Sequence, residues 1–149
     1  MADAKNTAIQ EAYDKVRSDK DPATWLLLDY DSPTSNKLTL TKTGEGANSI
    51  EELAAKLSDD KASFGYVRVK YQNDEQSFRE KFVLVIFIGS NVKVMRRARV
   101  SVYAADVKNV LRTYSIEVNA SSKDDLKESD VVSQLRKAGG ANYNRSNFT

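Results

Sequence analysis

Seven consecutive apolar residues, Phe82–Ile88, read F-V-L-V-I-F-I and stop at Gly89. They fall far short of the ~20 residues needed to cross a bilayer. A short, β-branched and aromatic run bounded by glycine fits a strand buried on both faces. A strand of that kind needs layers above and below it, so it dictates a sheet covered by helices on both sides. The segment leading into it, Ser77–Lys81, is charged. Arg79 and Lys81 stand two residues apart, and on an extended chain they point to the same side while Glu80 points to the other.

The other elements follow from periodicity. Ile9, Ala12, Tyr13 and Val16 repeat at helical spacing over residues 4–18, and Asp21-Pro22 closes that helix. Trp25–Leu28 is a second continuous apolar run and reads as a central strand. A turn at Asp31–Asn36 leads to an alternating strand over Lys37–Lys42, with Leu38 and Leu40 inward. Ser49 and Glu52 have the spacing of a capping box, followed by the apolar stripe Ile50, Leu53, Ala54 and Leu57. A strand at 62–72 joins the run discussed first through the polar link 72–76, as an antiparallel hairpin. Ser90-Asn91 supply an N-cap for a long helix to about Tyr114, with Val100, Tyr103, Ala104, Val107, Val110, Leu111 and Tyr114 on one face. A short strand at 116–118 and a last helix follow. That helix is capped by Ser122, turns Leu126, Val132 and Leu135 inward, and is stopped by Gly139-Gly140. The order αββαββαβα describes one α/β (α+β) domain: a mixed central sheet of five to six strands sandwiched by helices. Residues 144–149 are expected to form a short mobile tail.

Composition removes several classes of function. The 149 residues contain neither histidine nor cysteine. The commonest general base, the commonest transition-metal ligand, thiol nucleophiles and disulfides are therefore absent. Gly44-Glu-Gly46 lacks the spacing and the Lys-Ser/Thr of a phosphate loop. No acid/base or metal-spaced carboxylate cluster is recognisable, so neither an enzyme nor a cofactor or metal is expected. The N-terminus lacks a signal-peptide core, so a cytoplasmic protein that is not transmembrane is expected, and a monomer.

Charge points to an acidic partner. The net value is only +2, but residues 1–60 carry −5 and residues 61–112 carry +7. Two constellations lie in the basic third: the hairpin entry with Arg79 and Lys81, and the start of the long helix with Lys93, Arg96, Arg97 and Arg99. Cations in a first helical turn oppose the helix dipole by roughly 0.3–1 kcal/mol each. On a helical projection Arg96 falls in line with the apolar stripe and Arg97 and Arg99 flank it, which presents guanidinium groups to carboxylates on a partner. Arg136-Lys137 sit in what reads as a last helical turn, where the dipole favours them. Trp25, Phe64, Phe82 and Phe87 read as core. Nucleic acid is not expected: the pI of 8.7 is below the usual footprint. Alternation is also expected to set Tyr66 and Tyr71 on the opposite strand face from Arg68 and Lys70.

The S-x-R-x-K-F entry at Ser77–Phe82 and the string A-G-G-A-N-Y at Ala138–Tyr143 together resemble the coactosin group of the actin-depolymerising factor homology (cofilin-like) family. The resemblance implies that family's fold over residues 1–143. It also implies binding to the side of actin filaments, with interference in capping rather than severing or depolymerisation. Lys81 takes the position of the group's key lysine and Arg79 that of its neighbouring arginine. Phe78 stands where other members often carry a second lysine, which either weakens charge-driven binding or replaces it with an apolar contact. Arg96 and Arg97 fall near the family's basic positions at the start of the long helix, with Arg99 beside them. An alternative use of that helix start is the binding of phosphoinositides or other acidic lipids.

Overall fold

The computed structural model describes residues 7–32, 34–72 and 77–148, with Tyr103 and the last ten of these described by backbone alone. The elements in order are α1 (Thr7–Arg17), β1 (Trp25–Tyr30), β2 (Leu38–Gly44), α2 (Ser49–Ala54), β3 (Ala62–Gln72), β4 (Phe78–Ile88), α3 (Val94–Val110) and β5 (Ile116–Ala120). A 3-10 turn (Lys123–Leu126) and α4 (Glu128–Phe148) complete the chain. The strands form one mixed sheet in the order β2-β1-β3-β4-β5. Among the described strands only the β4–β5 pair is parallel, and α3 is the crossover that joins its two strands.

The apolar run of β4 divides by alternation between two cores. Leu84 and Ile86 face α1 and α3, beside Ile9, Tyr13, Val100 and Val107. Val83, Val85 and Phe87 face α2 and α4, beside Leu53, Val131 and Leu135. Cross-links at the sheet ends set the helix positions. Arg68 of β3 reaches the carbonyls of Val16 and Ser18 at the end of α1, satisfying acceptors that a helix C-terminus leaves open. Tyr66 stacks on Phe82 at 5.5 Å and packs at a tilt against Tyr13 at 5.0 Å. The Tyr66 hydroxyl donates to the Thr113 carbonyl, while the Thr113 N–H donates to the Tyr13 hydroxyl at 3.1 Å. The residues just beyond α3 are thereby tied to both α1 and β3.

Several local expectations are revised. Ser49 does not cap α2: its hydroxyl donates to the Arg68 carbonyl at 2.7 Å, and Glu52 accepts from the Trp25 indole at 3.2 Å. Both side chains serve the sheet instead of the helix end, and the N-cap is Asn48. The box forms at Ser122 and Asp125, around the 3-10 turn that precedes α4. Lys93, not Ser90 or Asn91, is the N-cap of α3. Tyr66 shares a strand face with Arg68, contrary to the expected alternation, but it is wholly buried and offers no stacking surface. Gly139-Gly140 does not stop α4, which continues to Phe148. Glycine inside a helix costs only about 1 kcal/mol, and it ends one by adopting a left-handed conformation that no described glycine has. The link 73–76 and helix residues 4–6 lie outside the described residues.

Candidate functional site

The β3–β4 hairpin runs past the rest of the sheet. β5 meets β4 only from Val83 onward, and Ser115 adds one bond to the Phe82 carbonyl. Residues 78–81 therefore project as part of a two-stranded ribbon. Register pairs Tyr71 with Arg79 and Val69 with Lys81, and it pairs Gln72 with Phe78 and Lys70 with Glu80. The ribbon consequently has two different faces. Arg79 and Lys81 share the α4 side. There Arg136 stands 6.0 Å from the Tyr71 ring and donates to the Gln72 carbonyl at 2.6 Å. Phe78, 64% exposed, lies on the other side under the Lys70 ammonium at 5.8 Å. The cationic face thus holds Arg79, Lys81 and Arg136. Sequence reading assigned Arg136 to a helix end, because the glycine pair after it looked like a stop.

At the start of α3 the side chains are arranged differently from expectation. Arg96 lies over the Tyr30 ring at 4.0 Å and donates to the Ser32 carbonyl at 3.1 Å. Burial pushes the Tyr30 hydroxyl pKa up, and the Arg96 charge beside it partly offsets this. Arg97 donates to the carbonyls of Val92 (2.9 Å), Ser90 (2.8 Å) and Gly89 (3.3 Å), which clamps the turn between β4 and α3. Gly89 is required in that turn, since a Cβ there would fall 2.1 Å from the Asp59 carbonyl oxygen. Both guanidinium groups thus hold the chain's own backbone, and Arg99 forms no ion pair with a described residue.

Part of the exposed surface at this end is apolar. Val94 is 79%, Met95 69% and Val102 68% exposed, and Ala98 and Ala105 are exposed between and beyond them. Val94, Ala98, Val102 and Ala105 recur at the spacing of one helix face. The opposite face buries Val100, Ala104 and Val107. A helix apolar on both sides, with one side in water, has an unpartnered surface. A search for basic residues passes over it because no charge marks it.

The two constellations lie at opposite ends of the fold. β4 carries the hairpin residues at its beginning and hands over to α3 at its end, and its 11 residues span about 35 Å. The cationic ribbon and the apolar helix start are therefore separated by roughly 30 Å. Among the described residues no group of three or more acidic, His or Cys side chains is placed to hold a metal, and no helix is long and apolar enough to cross a membrane.

Comparison with known proteins bears on this geometry. The profile of the family described as cofilin/tropomyosin-type actin-binding protein matches residues 1–136. Coactosin of Dictyostelium discoideum is 34% identical over 100% of this chain and 99% of its own length. The crystal structure of human coactosin-like protein superposes with a TM-score of 0.81 at 27% identity, covering 92% of this chain and 99% of that one. The solution structure of mouse coactosin, described as an actin filament binding protein, gives a TM-score of 0.73 at 30% identity, over 98% and 99%.

Proposed function

The chain belongs to the cofilin/tropomyosin-type actin-binding family, on its coactosin branch, and from that premise we propose that it binds the side of actin filaments with both of its ends. Members of this family are binding proteins rather than enzymes. One observation carries the reading: a cationic ribbon and an uncovered apolar helix face are held about 30 Å apart on one rigid sheet.

Two patches held this far apart on one rigid body can engage two neighbouring subunits of a polymer at once. Arg79, Lys81 and Arg136 supply charge that steers and orients docking on an acidic surface. Val94, Met95 and Val102 supply area whose burial is worth about 25 cal/mol per Å². On this reading a monomer engages one end only, and filaments are bound more tightly than monomers. Following the coactosin resemblance, the consequence is interference with capping rather than severing or depolymerisation. Arg96 and Arg97 act as the scaffold that presents the apolar face, and Phe78 makes its contact from the second side of the ribbon.

High-speed co-sedimentation with filamentous actin, comparing wild type and Lys81→Ala, tests this. Wild type should pellet and the variant should remain largely in the supernatant with an unchanged circular dichroism spectrum. Wild type remaining in the supernatant at low salt would overturn the actin reading. Equal pelleting of both would remove the ribbon from the contact.

A further inference from the structure

The chain contains two methionines, Met1 and Met95, and no cysteine. Among the described residues Met95 therefore carries the one sulfur atom. It stands on the uncovered side of α3, 69% exposed, seven positions before Val102 and so nearly in line with it two turns away. An unbranched, polarizable thioether suits an adaptable contact surface. The same sulfur is open to oxidants, whereas the single tryptophan, Trp25, is buried. We propose that Met95 is a reversible oxidation site, and that its sulfoxide releases the α3 end from the filament. That release presupposes the α3 contact proposed above.

The oxidant is a peroxide. The Met95 Sδ lone pair attacks one oxygen of hydrogen peroxide and the O–O bond breaks. The departing hydroxide takes the proton from the transferred oxygen and becomes water. Sulfur is oxidised by two electrons and the peroxide is reduced. The product is polar and chiral. In water its oxygen finds hydrogen-bond donors, but against an apolar partner surface it loses them, a desolvation cost that the thioether does not have. Position decides the consequence. A sulfoxide in a core disrupts packing, whereas Met95 lies in solvent, so the free protein should keep its stability and lose only the contact. No thiol in the chain competes for the oxidant. Arg96 and Arg97 hold the helix start through backbone carbonyls, which oxidation leaves in place. The cationic ribbon acts through Arg79, Lys81 and Arg136 and contains no sulfur, so its salt-dependent contribution should survive oxidation.

The test treats the full chain with dilute hydrogen peroxide, removes the oxidant, and only then adds actin filaments. Mass spectrometry should show one added oxygen on the peptide containing Met95, and the circular dichroism melt should match that of the reduced protein. Filament affinity in co-sedimentation should fall by about fivefold. Treatment with the two methionine sulfoxide reductases, one for each epimer, should restore it. Met95→Leu, which conserves volume and apolarity, should bind as reduced wild type does and ignore peroxide, although it keeps Met1. Met95→Gln, polar without any oxidation, should bind as the oxidised protein does. Unchanged pelleting of protein shown to carry the sulfoxide at Met95 would overturn the proposal. So would an equal peroxide-induced loss in Met95→Leu, which would place the lesion elsewhere, or resistance of Met95 to peroxide in the folded chain. Reduced wild type failing to pellet is a separate outcome: it would overturn the filament reading, and the switch with it.

Discussion

Arg68 illustrates how one side chain can look like surface charge in the sequence and act as a fastener in the fold. Its guanidinium donates to the Val16 and Ser18 carbonyls, and its side chain is only 11% exposed. Charged hydrogen bonds of this kind are worth about 1.5–3 kcal/mol. Arg68→Met should therefore lower the thermal midpoint by about 5–10 °C, read by circular dichroism. Glu80→Gln should have little effect, because that carboxylate stands 3.9 Å from Arg68 and is 36% exposed. A second pair has a pH signature. The Lys108 ammonium lies 2.6 Å from Glu117. Its bond holds the Glu117 carboxyl below its ordinary 4.5, and Glu117 in turn raises Lys108 above its ordinary 10.5. A depressed acid stabilises the fold above its unfolded pKa, and that contribution is lost as pH falls through the folded value. A raised lysine stabilises below its unfolded pKa, and its contribution is lost as pH rises through the folded value. The pair is thus fully effective between about pH 5 and 10. Glu117→Gln should flatten the acid limb of the stability curve below pH 5, by under about 1 kcal/mol because both groups are partly solvated. An unchanged acid limb would mean the pair is not formed in solution.

Among the elements, α3 is the one whose two faces do different work. Its first turn contains no acid and its N-cap makes no side-chain bond, so the helix start is less stable than its sequence could make it. Val94→Glu or Met95→Glu adds an acid where the dipole favours one, which should raise stability by roughly 0.3–1 kcal/mol. The same change places a charge on the apolar face and should weaken filament binding by about tenfold or more. Denaturant melts and co-sedimentation separate the two effects, and a variant that gained stability and kept its affinity would exclude this face from the contact. The contrast also shows what periodicity reveals. The strand run at 82–88, the helical face of Val100, Ala104, Val107 and Leu111, and the antiparallel hairpin were all legible, because burial leaves a repeat in the chain. Arg96 and Arg97 were legible as a cluster but not as clamps. Their partners are carbonyls of Ser32 and of residues 89, 90 and 92, and a backbone acceptor has no letter in a sequence. Ser49 and Glu52 matched a capping pattern, yet the Arg68 carbonyl and the Trp25 indole claimed them first. The exposed Val94 and Met95 were invisible for a simpler reason: apolar residues in a helix are read as core until the fold shows which side is covered.

At the scale of the whole molecule the sheet acts as a spacer, and the proposed function rests on both ends engaging at once. When two patches sit on one rigid body, binding of the first makes the second an intramolecular event, and joint affinity can exceed either alone by 10²–10⁴. Lys81→Ala and Met95→Glu should then each remove most of the affinity for filaments, leaving the residual affinity of the other end. The double variant should fall below both. On monomeric actin, which meets one end at a time, Lys81→Ala should leave any contact made by the α3 end unchanged. The ends also differ in salt response. The ribbon acts through exposed charges that are screened beyond ~10 Å at 0.1 M, whereas burial of Val94, Met95 and Val102 is not screened. Added salt should therefore weaken wild type toward the level of Lys81→Ala, and should weaken Lys81→Ala, which keeps Arg79 and Arg136, by a smaller factor. Quantitative co-sedimentation of the four proteins at two ionic strengths decides the matter. If Lys81→Ala kept the wild-type salt slope, or if the double variant bound as well as either single one, the two ends would not be acting together. The site would then have to be contained in one of them.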